Sequence, residues 1–157
     1  MNNGERDWQN FRCRTQIEIR FRDLDALGHV NNAVYFTYFE IAPMAYLRAL
    51  AGKPVTLDQL RIIVVNAACR YHSPALLGET LEIGIRVSHL RRSSFAFDYL
   101  LRCADADRLV AAGRTIQATF DHQQQRIVPL GPDFRAQVER YENRSFNPQS
   151  PFPPWDT

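Results

Sequence analysis

From Thr15 to Phe21 the chain alternates. Ile17, Ile19 and Phe21 fall on one side and Glu18, Arg20 and Arg22 on the other, the two-residue period of a half-buried strand. The pattern then changes. Asn32 to Leu50 is apolar around most of a helical circumference, interrupted chiefly by Thr37, Glu40 and Arg48, which predicts a buried helix. Gly52-Lys53-Pro54 ends it. Pro43 lies inside this helix and should kink or break it near residues 39–43, or else open a second helical piece. Beyond it the chain reads as sheet. Ile62–Tyr71 is rich in β-branched and apolar residues and stops at Ser73-Pro74. Thr80–Val87 alternates Leu81, Ile83, Ile85 and Val87 against Glu82 and Arg86. Ser94–Cys103 places Phe95, Phe97, Tyr99 and Leu101 on one face. Leu109–Phe120 is a longer strand in which Gly113 suggests a bulge, reached through a hairpin turn at Ala104–Asp107. Pro132–Tyr141 predicts a short helix.

One buried helix and about five strands joined by short turns predict an α+β domain, an antiparallel sheet around a helix. We divide the chain into a loose leader (1–13), the domain (14–142) and an extended or mobile tail (143–157) that holds four prolines. A chain of 157 residues suffices for one such core.

Charge and composition mainly exclude. A net charge of +2 is too small to argue for nucleic acid. No apolar run is long enough to span a bilayer, and the polar N-terminus has no signal-like apolar stretch. Cys13, Cys69 and Cys103 are odd in number and widely spaced, so no disulfide framework or zinc motif is expected. A reduced, cytoplasmic setting follows as the default.

The chemistry concentrates between the first strand and the helix, in Asp23, Asp25, Gly28, His29, Asn31, Asn32 and Tyr35. A helix start offers unpaired N–H groups and a partial positive charge, suited to a developing oxyanion. A carboxylate beside it, here Asp25, can attack an acyl carbon or activate water; the alternative is that Asp25 merely caps the helix. Asp23 reads as structural, paired with Arg22 or bonded to loop N–H groups. Gly28 permits a tight turn, and Asn31 or Asn32 is a natural N-cap. His29 either orients substrate, acts as acid or base, or is bonded within the loop. Tyr35 reads as wall or core. Glu40 is a rival carboxylate about 12 Å along the helix from Asn32, otherwise a buried, paired acid. His72, His89 and His122 lack ligand spacing and read as structural or surface residues, and no metal or cofactor is expected.

Asp25-x-x-Gly28-His29-Val30-Asn31-Asn32-x-x-Tyr35, followed by Tyr38-Phe39-Glu40, resembles the hotdog-fold acyl-CoA thioesterases of the 4-hydroxybenzoyl-CoA thioesterase family. It is also similar to a segment of plant acyl-ACP thioesterases. The resemblance spans roughly residues 15 to 130 and extends to Arg70–Pro74, Gly78–Leu81 and Arg91–Phe95. It implies a helix wrapped by a curved sheet, and a homodimer or dimer of dimers joined edge to edge with sites at the interface. It implies that Asp25 is the catalytic carboxylate and that the Asn32 N–H polarises the thioester carbonyl. It also implies that the turn Arg91, Arg92, Ser93 and Ser94 meets coenzyme A, where two guanidiniums and two hydroxyls suit a phosphate; the alternative is a solvated hairpin tip. The expected activity is acyl-CoA hydrolysis to a carboxylic acid and free CoA. The alternatives are acyl-ACP hydrolysis and a non-catalytic acyl-CoA binder.

Overall fold

The computed structural model describes residues 8–52 and 61–154. Strand β1 (Cys13–Glu18) leads into one 3₁₀ turn (Phe21–Asp23) and then helix α1 (Val34–Ala51). Four strands follow, β2 (Ile62–Tyr71), β3 (Thr80–Leu90), β4 (Ser94–Cys103) and β5 (Arg108–Asp121). A two-residue strand, β6 (Arg126–Ile127), and helix α2 (Pro132–Glu142) complete the order. The sheet is antiparallel, ordered β1-β3-β4-β5-β2, with β6 added against β5.

The helix packs against one face of the sheet. Tyr35, Tyr38, Phe39, Ala42 and Tyr46 point into the core, in one cluster with Ile83, Ile85, Phe97 and Tyr99. Phe39 stacks on Tyr99 with ring centroids 4.4 Å apart. Gly113 lies beneath it, and a Cβ there would stand 2.3 Å from the Phe39 ring. Gly113 therefore serves close approach and not the bulge its position in the strand suggests. It pairs regularly with Cys69 and Tyr99, and the register shifts fall at Val64/Asn66 and Leu101/Arg102.

Several sequence expectations change. The first strand ends at Glu18 and Phe21 is exposed, because Asp23 draws the chain into the 3₁₀ turn. Helix α1 begins at Val34 and runs through Pro43 unbroken to Gly52, which terminates it with φ +65°. Lys53 and Pro54 lie outside the described residues. Cys13 starts β1, and Trp8 and Phe11 pack on the outer face, where Gly84 makes room: a Cβ there would lie 2.8 Å from Phe11 Cβ. Residues 8–13 are thus packed, not a loose leader. The tail is extended and laid on the domain, with the Pro153 carbonyl accepting from Arg114 Nη1 at 3.2 Å.

Across the outer face runs a charged row. Asp98 accepts from Arg114 (Nε 2.6 Å, Nη2 3.1 Å) and from Ser88 Oγ (2.8 Å), with Arg86 3.8 Å away. Periodicity predicts such outward positions as polar, but pairing across three strands depends on a register it does not give.

Candidate active site

The loop from Asp23 to Ala33 is built by its own polar groups. Asp23 is buried. Its Oδ2 accepts from the Arg20 N–H (2.9 Å) and the Tyr38 hydroxyl (3.1 Å), and its Oδ1 accepts from Arg20 Nη2 (3.0 Å). Burial disfavours its charge, but Arg20, the Arg20 backbone N–H and Tyr38 outweigh that and hold its pKa below the ordinary value. Its partner is Arg20, not Arg22, because the 3₁₀ turn places residue 20 across the carboxylate. The Asp23 carbonyl accepts from Asn31, closing the loop at its base.

Asp25 follows at a different kind of position. Its Oδ1 accepts from the N–H groups of Leu27 (2.9 Å) and His29 (3.2 Å). Its backbone N–H donates to the His29 carbonyl, and its carbonyl accepts from Gly28. Gly28 has φ +80°, the left-handed conformation this turn requires. These bonds fix the carboxylate through one oxygen. Among the described residues Oδ2 has no hydrogen-bond partner, and Asp25 remains partly exposed. Asp25 therefore caps its own loop, not the helix. Asn31 Oδ1 accepts from Ala33, one residue ahead of the helix, while the N-cap position itself is Ala33. Among the described residues the Asn32 N–H donates no hydrogen bond.

A second segment forms the facing wall. Val30 donates to the Ala75 carbonyl, and His29 pairs with Leu76. Arg108 clamps this turn from beneath, reaching the Glu79 carboxylate at 2.5 and 2.6 Å, Ser73 Oγ at 2.7 Å and the Pro74 carbonyl at 2.5 Å. The Tyr71 hydroxyl donates to the Asn32 carbonyl at 2.9 Å. Burial, with Cys69 and Tyr35 nearby, pushes the Tyr71 pKa up to about 12, so the phenol keeps its proton. Tyr35 is buried and meets Tyr71 edge to face at 5.1 Å.

Between these walls lies an open cleft of about 470 Å³, lined by Asp25, His29, Asn32, Tyr35, Tyr71 and His72 together with Val30, Ser73 and Pro74. Asp25, His29, Asn32 and Tyr35 come together as the sequence suggests. Glu40 does not line the cleft and is exposed on α1, not buried. Tyr71 and His72 do line it. No spacing links them to Asp25, since β2 reaches the site only through sheet topology. Gly28 is in the loop but not in the lining. The turn Arg91–Ser94 lies at the other end of the sheet: Ser94 pairs with Ala118 beside Ile62, whereas Tyr71 pairs with Ala111. Nine residues of β2 separate these ends, about 30 Å. Among the described residues no group of three or more His, Cys, Asp or Glu could hold a metal ion.

Residues 19–138 match the thioesterase-like superfamily. The chain belongs to that family. It is 27% identical over 128 residues to the long-chain acyl-CoA thioesterase FadM of Escherichia coli K12, covering 81% of this chain and 97% of that one. It is 32% identical over 123 residues to a 1,4-dihydroxy-2-naphthoyl-CoA hydrolase of Synechococcus elongatus, covering 73% and 86%. The crystal structure of a Thermus thermophilus thioesterase complexed with coenzyme A and zinc superposes with a TM-score of 0.78 at 31% identity, covering 88% of this chain and 99% of that one. The hotdog architecture expected from the motif is thus the fold of this superfamily member. Among the described residues no helix is long and apolar enough to cross a membrane.

Proposed function

We propose that this thioesterase-superfamily protein hydrolyses acyl-CoA to a carboxylic acid and free coenzyme A at the Asp25 cleft. One observation carries the reading. A carboxylate oxygen and a backbone N–H, each without a partner among the described residues, border one cleft just ahead of a helix. The Asn32 N–H polarises the thioester carbonyl. The Asp25 Oδ2 either takes a proton from the water that attacks the carbonyl carbon, or attacks that carbon itself to give a mixed anhydride that water then splits into the acid and the free Asp25 carboxylate. In both routes the C–S bond breaks and coenzyme A leaves as a thiolate that takes up a proton. Tyr71 anchors the Asn32 carbonyl, and with it the 32–33 peptide that leads into the helix, against the facing wall of the cleft. His29 and Tyr35 shape the walls. The named activities of the E. coli and Synechococcus relatives support acyl-CoA as the substrate class. The test is a panel of acyl-CoAs assayed by release of free thiol. No release above the buffer rate from any of them would overturn the reading.

The working unit in this proposal is a homodimer, alone or doubled. Strand β2 ends the sheet, and its residues Val64 and Val65 are 57% and 51% exposed. An open apolar edge is suited to pairing with a second copy. Antiparallel pairing of β2 with the second copy's β2 sets each Tyr71 end against the other's Ile62 end. The other copy's Arg91–Ser94 turn lies two strand spacings, about 10 Å, from that end. A coenzyme entering the cleft then meets the turn of the neighbouring copy. Light scattering is expected to report a dimer or tetramer, and an active monomer would exclude the arrangement. Replacing Arg91 and Arg92 by alanine is expected to raise KM for acyl-CoA about tenfold or more, and to spare a short acyl-pantetheine that lacks the nucleotide. An equal fall for both substrates removes this turn from the coenzyme site.

A further inference from the structure

The tail after α2 lies outside the matched region, which ends at residue 138, and it builds something of its own. It turns back against the end of β3 and encloses a small cavity of about 180 Å³. Arg91 and His89 border it from the sheet side, and Arg144, Ser145, Asn147 and Ser150 from the tail. Ser88 and Leu90 on the sheet side and Phe146 on the tail side complete the lining.

The two guanidiniums are held but not neutralised. Arg144 Nη2 donates to the Val87 carbonyl at 3.3 Å and to the Ser88 carbonyl, and the guanidinium lies over the Phe146 ring at 4.3 Å. Arg91 lies over Phe152 at 5.4 Å. Ring stacking covers the faces of these planar cations and leaves N–H edges for a ligand. Neither arginine belongs to an ion pair among the described residues. Glu142, the nearby acid, is committed to the Tyr46 hydroxyl (2.7 Å) and the Val87 N–H (2.9 Å). His89 Nδ1 contacts Ser88 Oγ at 3.1 Å. Burial lowers the His89 pKa, and Arg114, Arg144 and Arg86 lower it further against the opposing Asp98, so the imidazole samples a net positive surrounding. The tail wall is also shaped in advance: Ser150 donates to the Asn147 carbonyl and Gln149 to Asn147 Oδ1.

We propose that this cavity is a binding site for a phosphate group, gripped by Arg91 and Arg144, with the hydroxyls of Ser145 and Ser150 as further donors. Two guanidiniums and two hydroxyls around a small cavity match the charge and acceptor count of a phosphate. The cavity is too small for a whole nucleotide. The group is either free phosphate or the ribose 3′-phosphate of a coenzyme A. The second source rests on the dimer reading above, whereas the site itself does not.

The experiment is a titration of the full-length protein followed by backbone amide NMR. Inorganic phosphate up to about 10 mM is expected to shift the amides of Ser88, His89, Arg144–Asn147, Gln149 and Ser150 saturably, while chloride at matched ionic strength leaves them in place. Arg91→Gln and Arg144→Gln should each weaken phosphate binding about tenfold, with the remainder of the spectrum unchanged as the check on folding. Absent or unsaturable shifts, or equal shifts with chloride, overturn the proposal without any variant being needed. The source is read from two further titrants. Shifts with coenzyme A but not with 3′-dephospho-coenzyme A assign the 3′-phosphate. Shifts with inorganic phosphate alone assign the free anion. Loss of thioester hydrolysis on changing Asp25 leaves these titrations unaltered, so the two readings fail separately.

Discussion

Replacing Asp25 by asparagine is expected to lower kcat for acyl-CoA hydrolysis by about a thousandfold or more, within the range a positioned acid–base or nucleophilic group supplies. The loop should survive. The anchoring contacts are two N–H groups donating to Oδ1, and an amide oxygen accepts them as a carboxylate oxygen does. What the amide lacks is the charge at the other atom. Folding, measured by thermal melting, and affinity for the CoA product should therefore stay close to wild type. Unchanged turnover in purified Asp25→Asn overturns the assignment, and loss in Glu40→Gln alone points to the helix carboxylate instead.

Asp98→Ala is expected to be the most destabilising single change, at about 3–5 kcal/mol, because it strips the counter-charge from a largely buried cluster. Arg114 is only 9% exposed and Asp98 8%. Arg86 lies beside them, with its buried Nε having no hydrogen-bond partner among the described residues. Removing the carboxylate leaves the guanidiniums facing one another across β3, β4 and β5. Urea denaturation should show a lower midpoint with an unchanged slope. Ser88→Ala, which removes one neutral donor to the same carboxylate, should cost only about 1 kcal/mol. Equal losses for the two variants contradict the electrostatic account.

The elements were legible where one period persisted. Ile62–Tyr71 and Ser94–Cys103 are strands over the residues their patterns predict, and the buried helix is where its apolar circumference places it. Legibility failed where a side chain overrode the period. Phe21 continues an alternating run, yet Asp23 pulls it into a 3₁₀ turn and out to solvent. Pro43 promises a break that the helix does not show, since the core holds α1 on both sides of it. Of the cleft, the loop half was readable because Asp25, His29, Asn32 and Tyr35 are neighbours in sequence. Tyr71 and His72 were not, because only strand pairing brings them there. The outward row Arg86–Asp98–Arg114 is polar in pattern, but its pairing is a matter of register.

The seat of α1 has a consequence for how this chain can change over time. At Gly113 the sheet carries no side chain, and the Phe39 ring fills the space that a Cβ would need. Neither position can drift alone. Any larger residue at 113 drives the ring off Tyr99, and a smaller residue at 39 opens a void above bare backbone. Among descendants of this sequence the two should be inherited as a pair, glycine with phenylalanine or a bulkier residue with a trimmed one. A lineage that exchanges them also resets how closely the helix sits on the sheet at this point.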